Sequence, residues 1–240
     1  MNITPVTNQI RKMIPVKYCG AVIVAAGSAS RMEGIDKVMA PLKGEPMIVH
    51  TVRAFQECPT IREIVVVTRP DLLKKVMSLC SDFPKLTCVV AGGKDRPESV
   101  WLGLNALSKK VKLAAIHDGA RPLISVKLID DTVRAAHCYG AAAPGIPMKD
   151  TVKVCGGGVV KSTPDRSTLY AIQTPQVFQY DLIRGALSKA TAEKAVITDD
   201  CSAVERMGFT VKLVAGEEKN LKVTTPLDLK IAEHFMEETL

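Results

Sequence analysis

The chain has 240 residues and a formal charge of +7, with 47% hydrophobic, 24% charged and 4% aromatic residues, which is the profile of a globular protein with a sizeable core. Its longest apolar runs are strand-sized, far too short to span a bilayer, and no basic cluster is interleaved with the aromatics that a nucleic-acid surface uses for base stacking. The positive balance suits acidic small molecules.

Cysteines 19, 58, 80, 88, 138, 155 and 201 are scattered, with no Cys-x-x-Cys pair and no Cys/His cluster. They read as reduced core thiols of a cytoplasmic protein, not as a disulfide framework or a zinc site. Residues 1–18 carry cations without an apolar core, so they read as a flexible N-terminal extension and not as a signal peptide.

Strand-like and helix-like runs then alternate. Residues 21–26 read as a buried strand. Residues 46–57 follow as a helix with Ile48, Val49, Val52 and Phe55 on one face. A second strand over 63–68 leads to a helix over 71–79 with Asp71 at its N-terminus. Residues 87–91 and 113–117 form further strands, separated by a helix over 99–107. Ser125 caps a helix running to 139. This order predicts an α/β fold: a Rossmann-like, mostly parallel central sheet with helices on both faces. Its ligands belong beyond the carboxyl ends of the strands. From residue 141 the alternation breaks. Residues 151–155 and 159–162 on either side of Gly156-Gly157-Gly158 read as a β-hairpin, a projecting arm at about 145–170 that packs on a partner subunit. A helix over 180–190, a strand over 210–214 and a helix from Pro226 complete the pattern, all within one domain over 19–240.

The segment Val22-Ile23-Val24-Ala25-Ala26-Gly27-Ser28-Ala29-Ser30-Arg31-Met32, with Lys37 soon after, carries the chemistry. A strand breaks into small residues whose backbone N–H groups a ligand can approach closely, with Arg31 and Lys37 beside them. That combination suits a nucleoside triphosphate. Neither the Gly-x-Gly-x-x-Gly spacing of dinucleotide folds nor the Gly-Lys-Ser/Thr ending of a P-loop is present. Gly92-Gly93-Lys94-Asp95-Arg96-Pro97-Glu98-Ser99 allows close approach to a flat base, with Ser99 either reading a base edge or capping the helix. His117-Asp118-Gly119-Ala120-Arg121-Pro122 places a carboxylate past a strand end, where it meets a ribose hydroxyl or a metal, or pairs with Arg121. Trp101 is expected beneath the nucleotide site, and His117 is expected to satisfy backbone groups without proton transfer.

Together with Asp150-Thr151-Val152-Lys153, Asp165-Arg166, Gln173-Thr174-Pro175-Gln176, Ile197-Thr198-Asp199-Asp200 and Lys222-Val223-Thr224, these segments closely resemble the 2-C-methyl-D-erythritol 4-phosphate cytidylyltransferases of the non-mevalonate isoprenoid pathway. The resemblance runs from about Cys19 to the C-terminus. It implies that Ala25, Ala26 and Gly27 offer backbone groups to CTP, and that Arg31 and Lys37 stabilise its phosphates. It implies that Gly93 and Ser99 read cytosine and that Asp118 and Gly119 lie near the ribose and phosphates. Arg121, Thr151, Arg166, Thr198 and Lys222 would handle methylerythritol phosphate, Arg166 coming from the arm of the neighbouring subunit of a homodimer. Mg2+ would be held mainly by the triphosphate, with no protein ligand. The chain departs from the family's usual pattern at Asp36-Lys37-Val38, at Ala29 and at Lys94. Two other readings stay open: a cytidylyltransferase for another polyol phosphate such as ribitol 5-phosphate, and a non-catalytic nucleotide-binding module.

Overall fold

A computed structural model describes residues 15–27 and 37–237. Most of the expected extension over 1–18, and with it residues 1–14, lies outside the described residues. The chain runs through β1 (Cys19–Ala25), a short β2–β3 pair (Pro41–Leu42 and Glu45–Pro46), α1 (Met47–Glu57), β4 (Ile61–Thr68) and α2 (Leu73–Leu79). It continues through β5 (Leu86–Ala91), α3 (Arg96–Ala106), β6 (Leu113–Asp118), α4 (Val126–Tyr139) and β7 (Ala141–Pro147). The hairpin β8–β9 (Val154–Gly156 and Val159–Ser162), β10 (Tyr170–Ile172), β11 (Gln176–Gln179), α5 (Tyr180–Ala192), α6 (Asp200–Glu205), β12 (Lys212–Ala215) and α7 (Pro226–Glu237) follow.

The main sheet is eight-stranded, in the order β10-β7-β11-β6-β1-β4-β5, with β12 beside β7. β6, β1, β4 and β5 pair in parallel, as does β12 with β7, while β11 and β10 run antiparallel to their neighbours. The parallel strands read as continuous apolar runs because they are covered on both faces. In β4, Ile64 and Val66 enter the core under α1, α2 and α4, whereas Val65 and Val67 enter the core under α3, α5 and α6. Period-two alternation therefore feeds two cores from one strand. On α1, Ile48, Val49, Val52 and Phe55 are buried as expected. Ser125 caps α4 by accepting from the Leu128 N–H at 3.0 Å.

Several expectations are corrected. α3 starts at Arg96, not Ser99, and its cap is Asp95, which accepts from the Glu98 N–H at 2.9 Å. Pro97 is no obstacle there, since first-turn N–H groups lack an intrahelical acceptor. Asp71 does not cap a helix: it sits in a 3-10 turn, Pro70–Leu72, and its carboxylate accepts from Arg69 at 3.0 and 3.1 Å. The hairpin's first strand begins at Val154, not Thr151, because pairing ends at Val154–Ser162; Pro164, just beyond, has no N–H to extend the ladder. Its turn places Gly157 and Gly158 at φ 60° and 77°, the left-handed pair a tight hairpin needs. Cys138 and Cys155 are exposed, unlike the other cysteines.

Candidate active site

A cavity of about 370 Å³ opens at the carboxyl ends of β1, β5 and β6. Val24–Gly27 form one wall, Gly93–Arg96 a second and Asp118 and Ala120 a third, with Lys37, Val38 and Lys222 closing the rim. Gly92 makes the walls meet: a Cβ there would lie 2.4 Å from the Ala26 Cβ and 2.9 Å from the Ser99 Oγ. Any larger residue would push the β5–α3 loop away from the Ala25-Ala26-Gly27 segment at the end of β1.

Charge is concentrated on this cavity. Asp118 caps the end of β6, 8% exposed, with Lys222 Nζ 2.7 Å from Oδ2 and Arg96 Nε 3.4 Å from Oδ1. Arg121 Nε stands 4.0 Å from the same carboxylate. Burial alone would raise the Asp118 carboxyl, but Arg96 and Lys222 outweigh it and hold the group well below the usual carboxylate range. Arg96 is clamped from behind by Asp200, whose two oxygens accept from its terminal nitrogens at 3.0 and 2.8 Å. Lys37 is half-buried on the cavity wall.

A buried polar network behind the wall fixes these groups. The Thr174 Oγ1 accepts from the Asp118 N–H at 3.1 Å and lies 3.0 Å from the His117 Nδ1. Asn220 donates to the Gln173 side chain at 3.2 Å and the Thr174 carbonyl at 2.9 Å, while Arg121 donates to the Asn220 carbonyl at 2.6 Å. Gln176 bridges Asp199 and the Cys201 N–H. The Gln173-Thr174-Pro175-Gln176 segment thus joins the Asp118 loop, the Lys222 loop and the start of α6. His117 is fully buried, and burial pushes its imidazole down to about 3. It is neutral at ordinary pH and its other nitrogen faces the Arg121 carbonyl at 3.2 Å, so it is spent on structure.

Ala25, Ala26, Gly27, Lys37, Gly93, Asp118 and Lys222 therefore converge on one cavity. Ser99 is buried behind it, its hydroxyl accepting from the Gly93 N–H at 3.1 Å and donating to the Asp95 carbonyl at 2.8 Å. Gly119 is likewise behind the wall, its N–H bonded to the Val24 carbonyl at 2.8 Å. Thr198 lines a separate cavity of about 490 Å³ with Asp199, Ser202 and Leu213. Thr151 and Arg166 are exposed in the arm region, Arg166 donating to the Lys149 carbonyl at 2.6 Å. Arg31, Ala29 and Asp36 lie outside the described residues. Trp101 is not beneath the cavity: half-buried, it lines another one with Lys94, Asp95 and Glu98, and Arg184 stacks 5.0 Å from its ring. Arg96 and Asp200 form the buried ion pair beside the cavity that residue-by-residue reading did not single out, although Arg96 follows Gly92-Gly93 and Asp200 ends Ile197-Thr198-Asp199-Asp200.

Among the described residues, no three His, Cys, Asp or Glu side chains group so as to hold a metal ion, and no helix is long and apolar enough to cross a membrane.

The family model described as 2-C-methyl-D-erythritol 4-phosphate cytidylyltransferase matches residues 19–238. The chain is similar to the protein of that name from Caldanaerobacter subterraneus, 45% identical over 221 residues, spanning 90% of this chain and 97% of the relative. It is 43% identical over 219 residues to the one from Symbiobacterium thermophilum, spanning 90% and 92%. In three dimensions it is similar to 4-diphosphocytidyl-2C-methyl-D-erythritol synthase from Anaerococcus prevotii, with a TM-score of 0.84, 31% identity, and coverage of 92% of this chain and 99% of the other.

Proposed function

This chain belongs to the 2-C-methyl-D-erythritol 4-phosphate cytidylyltransferase family, and from that premise we propose how its cavity transfers a cytidylyl group from CTP to methylerythritol phosphate. The acceptor's phosphate monoester oxygen attacks the α-phosphorus in line. The new O–P bond forms as the bond to the β-phosphate bridging oxygen breaks, giving 4-diphosphocytidyl-methylerythritol and pyrophosphate. Ala25, Ala26 and Gly27 offer backbone groups to the nucleotide, and Gly93, held by Ser99, lies against the cytosine. Asp118 and Gly119 sit by the ribose and phosphates. Lys37 with Arg31 stabilises charge on the α-phosphate; Lys222 and Arg166 place the acceptor phosphate, and Arg121, Thr151 and Thr198 complete its binding.

The observation that carries this reading is the convergence of Lys37, Arg96 and Lys222 on the cavity that opens at the Ala25–Gly27 end of β1. Two anions must meet there, so fixed cations answer the main obstacle. The monoester is already ionised near neutral pH and needs no general base, which agrees with a neutral, buried His117. Asp118 is bonded to cations and Asp95 to a helix N–H, so neither is set as a bare metal ligand. That donor set fits Mg2+ bound through the triphosphate oxygens, where it would supply charge neutralisation. We read residues 19–240 as one catalytic unit working in the cytoplasm as a homodimer whose arm lends Arg166 to the partner's site.

Purified protein with CTP and Mg2+ is expected to release pyrophosphate with methylerythritol phosphate and far less with ribitol 5-phosphate. Preference for ribitol phosphate would change the acceptor, and binding of CTP without turnover would replace the enzyme by a nucleotide sensor. The arm has its own test. Mixing Lys37→Ala subunits with Arg166→Ala subunits is expected to regain activity, because one site of each mixed dimer then keeps both residues. Mixtures as inactive as their parents would place Arg166 in its own subunit's site.

A further inference from the structure

Asp200 is wholly buried, its side chain 1% exposed, and it does not line the cavity. Both of its oxygens are taken by Arg96. Arg96 uses its remaining Nε toward Asp118 Oδ1, and Asp118 uses its other oxygen for Lys222 Nζ. Four segments far apart in the chain thus meet in a row of alternating charge: α6, the start of α3, the end of β6 and the loop before α7. We infer that Asp200 is a positioning residue for the cytidylyl transfer proposed above, setting through Arg96 and Asp118 where the acceptor-binding Lys222 stands.

Physical reasons favour position over stability as its use. Burying an ion pair is a weak source of stability, since desolvation offsets the attraction. What it does supply is geometry: the planar guanidinium fork, gripped at both terminal nitrogens, leaves Nε a single direction in which to point. Asp200 is itself held, because α6 begins with a reciprocal capping box between Asp199 and Ser202 and with the Gln176 bridge to the Cys201 N–H. The anchor is therefore rigid and the far end, Lys222, is 40% exposed and adjustable. With Asp200 neutralised, Arg96 is drawn onto Asp118 and competes with Lys222 for that carboxylate. The cavity meanwhile becomes more positive by one charge.

This gives a signature that general loosening would not. Full-length Asp200→Asn protein is expected to bind Mg2+-CTP as well as wild type or more tightly, while kcat falls ~10²-fold, the loss that a misplacement of about 1 Å brings, and the acceptor KM rises. Asp200→Glu, which keeps the charge, is expected to recover part of kcat. A crystal structure of ligand-free Asp200→Asn is expected to show Lys222 and Asp118 separated. If Asp200→Asn does not fold, Asp200→Glu, which keeps the charge but displaces the carboxylate by one methylene, serves for the same measurements, with a smaller fall in kcat expected. An unmoved Lys222–Asp118 pair, a wild-type kcat, or CTP affinity lost in step with kcat would each overturn the inference. Wild-type turnover measured in parallel tests the reaction itself, and the structural readout stands whatever that turnover is.

Discussion

Lys37→Ala is expected to lower kcat by roughly 10²–10³, or about 3–4 kcal/mol, the usual cost of removing one preorganised donor to a developing charge. Lys37 opens a 3-10 turn, Lys37–Met39, on the wall of the cavity that Ala25, Ala26 and Gly27 also line, with Val38 buried beneath it as an anchor. Its backbone is thereby held on the cavity wall with the side chain half-buried there, where electrostatic contacts strengthen. Charge at the α-phosphorus grows on the way to the transition state, so the loss should fall equally on kcat and kcat/KM. Unfolding by urea should barely change, because the side chain carries none of the core. Near-normal pyrophosphate release by this variant would remove Lys37 from the chemistry.

Lys222→Ala is expected to cost a similar ~10²–10³ in kcat/KM for the acceptor, with a different distribution. Lys222 holds the entering phosphate before as well as during attack, so KM for methylerythritol phosphate rises along with the fall in kcat. The fold should tolerate the change within about 1 kcal/mol, since a pair whose lysine is 40% exposed contributes little. Asp118 also keeps Arg96 at 3.4 Å and Arg121 at 4.0 Å after the lysine is gone, so no buried charge is orphaned. Steady-state kinetics with both substrates varied, beside thermal unfolding, separates the outcomes. A large drop in stability with unchanged acceptor KM would make Lys222 a structural residue.

The strands that lead to the cavity were legible because their physics is local. Val22-Ile23-Val24 and Ile64-Val65-Val66-Val67 are β-branched runs that only a strand covered on both faces can bury. α1 and α4 announced themselves by period and by the Ser125 cap. β7 did not: Ala-Ala-Ala-Pro-Gly-Ile-Pro has poor strand propensity and becomes a strand because β11, β10 and β12 supply its partners. β11 is four residues with glutamine at both ends, and its direction is a matter of which strands it lies between.

The candidate site divides along the same line. A strand ending in Ala25-Ala26-Gly27, a nearby Lys37, and a carboxylate at the end of β6 could be placed by spacing, since each needs only its own segment's geometry. The clamp on Arg96 could not. Arg96 and Asp200 are 104 positions apart, each an ordinary charged residue in its own neighbourhood, and burial turns them into a fixed pair only after α6 packs against the carboxyl edge of the sheet. The amino-acid order by itself determined which residues end β1 at the cavity and which carry the charge. The tertiary structure alone decided which charges face each other, because ion pairing and desolvation depend on distance in space and not along the chain.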